Sequence, residues 1–384
     1  MVAVLTIYIL QIGYAFLNGR VCQSYGVDYC AFYSAGKIIN DHGFAEVYNL
    51  DLLTQYQKEI YNIDSTSISN FSPFPIVYLS IFLLPFKYFA LVNPTSSYLL
   101  WTLVNLIAFI LYIKFFIKEM VGHALPFRIH TLFLISLPVF VNFFEGQVNL
   151  FIMIVMGEFI RAVLSDKSFK AGAWLGGLLL KPQLLILIIP YLLIRGLRKT
   201  FLAFVASGFV IMVISFALSK INGILALINL LLGFSKGLPT NNIPAMMNWR
   251  MLGEHITSFS SPIIGWMITL IGSVLTVTLL VHFFRKRVPN NPTSFAIDIL
   301  GIFAATCAVT WHAHLHMSMV LIPPLLFLIV KNRFNNKLFM VWAFVPILVH
   351  FVRYIIAAFI EVNNFPTWFQ TFSATTLLKT SLGL

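Results

Sequence analysis

A few polar side chains in this sequence are of the kind that do chemistry, and each stands where an apolar run stops or breaks. Asp28, Glu46 and Glu145 are carboxylates, and a positioned carboxylate can take a proton from a hydroxyl group. Lys181, Arg250, His312, His314 and His316 can bind an anion and stabilise charge on a departing phosphate. Gln147, Asn149 and Asn248 add neutral hydrogen-bonding amides. Tyr29, Tyr33, Tyr48 and Trp249 offer flat amphipathic rings for sugar or interface contact.

Each residue also has a plainer reading. Asp28 follows the first apolar run closely enough to cap a helix or close a turn. Lys181 precedes Pro182 inside a Leu/Ile run and can snorkel to the membrane surface. Arg250 can balance Glu254 four residues on along an amphipathic helix. His312 and His316 are four apart, so a helix would put both on one face, a spacing that also suits a metal. No HExxH or DxD sequence occurs in the chain, and no carboxylate lies near the histidines in sequence. Hydrogen bonding to phosphate or sugar is therefore the preferred reading over metal binding. Glu158 and Asp298 fall inside apolar runs, and Asp298 reads as a boundary charge near a helix end.

The elements that position these residues must be membrane helices. Of 384 residues, 59% are hydrophobic and 10% charged, where a soluble domain carries about 25% charged. The mean hydropathy is +0.89. Spans read near 3–18, 97–117, 131–145, 148–164, 171–180, 183–195, 201–219, 262–284, 295–310, 315–330 and 338–360, about eleven transmembrane helices of an all-α bundle. Period-two alternation is absent, which excludes a barrel. Residues 1–18 read as a retained first helix rather than a signal peptide. The 74–92 segment, with Pro75, Pro85 and Lys87, reads as a re-entrant or membrane-surface helix pair. The runs 171–180 and 183–195 read as two halves of a broken pair meeting at Lys181–Pro182.

The net charge of +12 does not point to nucleic acid, because the basic residues cluster at the ends of apolar runs. If 74–92 does not cross, five groups of three basic residues lie on the cytoplasmic side, such as Arg195, Arg198 and Lys199, or Arg285, Lys286 and Arg287. The chain then forms one polytopic domain over 1–384. Its first outer loop is 19–96 with short membrane-surface helices, and its second long outer loop is 220–261. Asp28, Glu145, Lys181, Arg250 and the histidines all map to that outer boundary. Such a gathering is the make-up of a site for an anionic, lipid-linked substrate. Cys22 and Cys30 share one outer loop and can pair if it faces an oxidising compartment.

Several stretches, in order, resemble a known family. "DYCAFYSAG" (28–36) and "EVYNLD" (46–51) resemble the opening outer loop of the GT-C superfamily of membrane glycosyltransferases. "GQVNLFIMIVMGEFIRA" (146–162), "AGAWLGGLLLKPQLLILIIPYLLIRG" (171–196) and "TWHAHLHMSMVLIPPLL" (310–326) resemble segments of glycosyltransferase family 87, of the polyprenyl-phosphate-mannose-dependent α-mannosyltransferase type. Phe74–Pro75 stands where that family often has two prolines, and the histidines are spread, with His314 the chosen match.

The resemblance implies a GT-C helical bundle with its active site at the outer leaflet of the plasma membrane of a prokaryote. It implies Asp28 as general base in an inverting transfer of a hexose, mannose by family expectation, from a polyprenyl-phosphate sugar to a lipid-linked or glycan acceptor. Lys181, Arg250, His312, His314 and His316 would then bind the donor phosphate and sugar. Tyr29, Tyr33, Glu46, Tyr48, Glu145, Gln147, Asn149, Asn248 and Trp249 would serve the acceptor. The expected partners are membrane lipids and the two substrates, with no nucleic acid, no cofactor, no metal and a monomeric state. A transporter or flippase of a lipid-linked sugar is the alternative. It predicts internal repeats and deep charges on both sides of the bilayer centre, and the sequence has neither. A lipid-linked glycan polymerase or ligase would want a late outer loop richer in Arg and His than 220–261.

Overall fold

The computed structural model describes residues 21–23, 25–61, 71, 73–121, 133–235, 246–257, 260–286 and 291–331, with scattered positions between 6 and 17. Among them there are helices, turns and two isolated bridges, and no strand. The helices run α1 (Val27–Asp41), α2 (Leu50–Tyr61), α3 (Ser80–Phe89), α4 (Pro94–Val121), α5 (Leu137–Glu145), α6 (Asn149–Leu164) and α7 (Ser168–Gly176). They continue with α8 (Leu185–Ile194), α9 (Arg198–Ser235), α10 (Trp249–Thr257), α11 (Pro262–Lys286), α12 (Pro292–Val309) and α13 (Ile322–Val330). Among the described residues α4, α9, α11 and α12 are long and apolar enough to cross a membrane. The protein is an all-α membrane protein. The span expected at 338–360 and most of 3–18 lie outside the described residues.

Helix α4 shows why these elements need lipid. Its buried residues Trp101, Asn105, Phe109, Ile113 and Phe116 form one stripe at helical spacing. Its opposite face exposes Leu99, Leu100, Leu103, Val104, Ile107 and Leu111. A helix apolar all round yet buried on one side only is matched to a hydrocarbon solvent, not to water.

Two expectations are corrected. The 74–92 segment is not a helix pair. Residues 73–77 form no regular element, and only Ser80–Phe89 is helical. Prolines at 73 and 75 disfavour helix there. The Gln57 amide also takes both backbone groups of Phe74, donating to its carbonyl at 2.9 Å and accepting from its N–H at 2.8 Å. The span read over 201–219 does end at Lys220, where φ is 57°, but residues 221–235 are helical again rather than loop. The gap read between the spans 295–310 and 315–330 is present, so no helix puts His312 and His316 on one face. Thr310 leaves α12 with ψ 148°, and a 3-10 turn starts only at Leu315.

Asp298 is more than a boundary charge. It is fully buried, pairs with Arg195 at 3.2 Å and accepts from the Tyr191 hydroxyl at 3.0 Å. Glu158 is likewise buried against Arg161 at 2.6 Å. Arg161 lies some twelve residues along α6 from Asn149, about 18 Å at 1.5 Å per residue. The basic end of α6 is thus remote from its Gln147 end.

Candidate active site

Asp28 lies in the first turn of α1, where the helix dipole favours a carboxylate. The helix begins at Gly26, which has φ 64° and donates its N–H to the Phe144 carbonyl at 2.8 Å. A Cβ on Gly26 would stand 2.7 Å from the Tyr98 ring, so the position needs glycine for both conformation and space. Cys22 and Cys30 form a disulfide across this turn, with Cα atoms 5.5 Å apart. The Tyr61 hydroxyl donates to the Val27 carbonyl at 2.8 Å. Asp28 is therefore fixed by α2, α5 and a covalent tie, and it keeps partial exposure.

The α5–α6 corner supplies its partner. Gly146 ends α5 in the left-handed conformation, φ 70°, and a Cβ there would lie 2.5 Å from the Tyr29 Cβ. Bare backbone at Gly146 is what lets this corner touch α1. The next residue, Gln147, is buried and donates Nε2 to Asp28 Oδ2 at 2.5 Å. Its Oε1 accepts from Lys181 Nζ at 3.5 Å.

Lys181 occupies the break read from the sequence. A residue before proline is pushed out of the helical region. Lys181 has φ −137° and ψ 79°, between 3-10 turns Gly177–Leu180 and Pro182–Leu184. Its N–H reaches the Leu178 carbonyl at 2.9 Å and its carbonyl accepts from Leu184 at 3.0 Å, so the break leaves its own peptide groups satisfied. The side chain is buried, 6% exposed, and aimed at Gln147.

Burial governs the charges. It pushes the Asp28 carboxyl up, against the lowering by the Gln147 hydrogen bond and the Lys181 charge. It lowers Lys181 to about 8, opposed by the charge of Asp28. It lowers His312 to about 3, helped by His314, Lys181 and Arg250, so His312 is neutral at physiological pH. Glu145 lies within electrostatic reach of Asp28, as do the phenols of Tyr61 and Tyr78.

The three histidines line up through their rings. His312 and His314 meet edge-on at 4.6 Å between centroids, and His314 stacks on His316 at 5.6 Å. The backbone here is extended because Ala313 accepts from the Met247 N–H at 2.8 Å. Arg250 Nη1 donates to the Trp311 carbonyl at 3.3 Å, and its guanidinium lies 3.7 Å above the Trp311 ring. Trp311 stacks in turn on Trp266. Among the described residues no group of three His, Cys, Asp or Glu side chains is arranged to hold a metal ion.

Other expected site residues are placed elsewhere. Tyr29 and Tyr33 are core, not sugar walls. Tyr29 has no exposure, hydrogen-bonds the Ser97 hydroxyl and packs on Tyr98 and Trp101, and Tyr33 donates to the Val92 carbonyl at 2.8 Å. Tyr48 is buried and donates to the Tyr78 carbonyl at 2.7 Å. Glu46 is exposed and accepts from the Asn49 amide. Asn149 is buried and donates to Asn142 Oδ1 from both its backbone N–H and its side chain. Asn248 caps α10 through the Met251 N–H at 2.9 Å and holds the Thr310 carbonyl at 2.8 Å. Trp249 donates to the Thr276 hydroxyl at 2.9 Å and fastens α10 to α11. Tyr61, Tyr78 and Trp311 were not singled out from sequence, and nothing local to them signals their place.

Residues 77–310 match the model of glycosyltransferase family 87. No curated protein and no solved structure matches the chain. The matched stretch contains Glu145, Gln147, Lys181 and Arg250, whereas Asp28 precedes it and the histidines follow it. It covers more than half of the sequence and includes the four helices that, among the described residues, are long and apolar enough to cross a bilayer. The chain belongs to glycosyltransferase family 87 and is a membrane glycosyltransferase.

Proposed function

We propose that the protein transfers a hexose, mannose by family expectation, from a polyprenyl-phosphate carrier to a lipid-linked or glycan acceptor, with inversion and with Asp28 as general base. The observation that carries this reading is the partly exposed Asp28 carboxylate joined through one amide to the buried Lys181 cation. A proton acceptor and a phosphate-binding charge then stand on either side of one reacting centre.

Oδ2 of Asp28 is taken by Gln147, which leaves Oδ1 for the acceptor hydroxyl. As that oxygen attacks the anomeric carbon, its proton passes to Asp28 and the bond from sugar to phosphate oxygen breaks. The lipid phosphate departs with the electron pair. Lys181, Arg250 and His314 meet its charge, and neutral His312 can donate a hydrogen bond to it. A raised Asp28 pKa makes it a stronger base than a solvated aspartate. In this reading the side chains do the work that a metal would otherwise do. The fold would be of GT-C type, acting as a monomer in a prokaryotic plasma membrane. The site would face outward, and the Cys22–Cys30 disulfide suits an oxidising side.

The test is incubation of purified protein with a panel of polyprenyl-phosphate sugars, followed by mass spectrometry of acceptor lipids. At least one donor should give a glycosylated product of inverted anomeric configuration. Asp28→Asn should abolish transfer while expression and melting temperature stay unchanged. An Asp28→Asn protein with full transfer activity refutes the base assignment.

A further inference from the structure

We propose that Gln147 is a positioning residue for catalysis: it fixes the Asp28 carboxylate in place and holds the base and the Lys181 cation apart. The inference rests on the reading of Asp28 as the base. It departs from the sequence expectation that Gln147 binds the acceptor.

The geometry allows one orientation of the amide. Nε2 must face Asp28, because a carboxylate only accepts, and Oε1 must face Lys181, because an ammonium only donates. The side chain is buried and its stem is set by the Gly146 corner. The Gln147 N–H is itself tied to the Asn142 carbonyl at 2.8 Å. Amide, carboxylate and ammonium are thus linked in series, from α1 through the α5–α6 corner to the break before α8.

The spacing has a chemical purpose. A direct Asp28–Lys181 ion pair would stabilise the carboxylate and make it a poor proton acceptor. It would also occupy the cation that must meet the phosphate. An interposed amide orients the carboxylate and leaves both charges available. The other groups facing Asp28 do not substitute for it. Glu145 from α5, Tyr61 from α2 and Tyr78 from the segment before α3 offer no cation. Among the described residues, Lys181 is the one opposite charge that acts on Asp28.

Two variants and two readouts test the assignment. Gln147→Met keeps length and bulk and removes the amide. Gln147→Glu keeps shape and replaces the donor with a carboxylate. A hydrophobic carbodiimide labels carboxyl groups only when protonated, so peptide mapping of Asp28 labelling against pH follows its titration without any turnover. With the hydrogen bond to the carboxylate gone, the labelling midpoint should move upward by about one pH unit in Gln147→Met, and upward also in Gln147→Glu. In the transfer assay kcat should fall at least about tenfold while KM for the donor stays within about threefold. An Asp28 labelling midpoint unchanged in both variants overturns the proposal. So does a loss of transfer that lies entirely in KM. Labelling separates this inference from the reaction. If wild-type protein transfers no sugar from any donor, yet the midpoint still moves, the proposed function falls and the Gln147–Asp28 linkage stands.

Discussion

Gly146→Ala tests how the site is assembled. Two costs act at this position. The left-handed backbone, φ 70°, costs a residue with a Cβ about 1–2 kcal/mol. The new methyl would also lie 2.5 Å from the Tyr29 Cβ, an atom fixed to the α1 backbone and unable to swing away. Carbon atoms pack at about 3.5–4.0 Å, so the corner must retreat by about 1 Å. A retreat of that size carries Gln147 away from Asp28 and stretches the 2.5 Å hydrogen bond to about 3.5 Å, costing most of its strength. A hydrogen bond to a charged group contributes about 1.5–3 kcal/mol, which corresponds to a loss of about 10- to 100-fold in kcat.

Gly196→Ala is the matched control. Gly196 has φ 67°, nearly the same conformation, and no atom within 4 Å of where its Cβ would stand. It should show the backbone cost alone. Purified proteins in detergent would be compared by thermal melting and by single-turnover sugar transfer. Both variants should melt earlier, and only Gly146→Ala should lose transfer at temperatures where both remain folded. Equal activity in the two variants would refute the claim that close approach of the corner to α1 sets the base.

Further outcomes follow from the same geometry. Lys181 is lowered to about 8 by burial, so the free enzyme should lose kcat/KM through an alkaline limb near pH 8 as the ammonium deprotonates; Lys181→Gln should remove that limb along with most activity. Reducing the Cys22–Cys30 bond, whose cysteines are eight residues apart, should destabilise the protein by about 2–3 kcal/mol and lower transfer, as read by melting and activity with and without reductant. Arg195→Met removes one cation paired with the buried Asp298 carboxylate and should destabilise the protein in chemical unfolding by up to about 3–5 kcal/mol, with no selective change in KM for donor.

The features legible in the sequence were those decided by near neighbours. Lys181–Pro182 was read as a break because proline restricts the residue before it whatever surrounds them. Lys220 was read as the end of a span, and the backbone does turn there. The broken element and the apolar spans both follow from local composition. The extended backbone at Ala313–His314 has its cause farther away. The peptide groups of Ala313 and its neighbours are taken by residues 246–247, some 66 positions earlier in the chain. Tyr29 and Tyr33 looked like exposed aromatic walls because a loop beside a polar motif has no visible partner. Their partners, Ser97, Tyr98, Trp101 and Val92, belong to α4 and the residues before it.

The sequence by itself determined the solvent of this protein, the family it belongs to and which polar groups interrupt its apolar runs. Hydrophobic length, charge at span ends and proline position are properties of short stretches, so they can be read without a fold. Only the tertiary structure decided which of those groups touch. Asp28 and Gln147 are 119 residues apart and meet because two glycines, Gly26 and Gly146, let backbone approach side chains where a Cβ would collide. Contact at that separation depends on how whole helices pack, and no pattern within one helix encodes it.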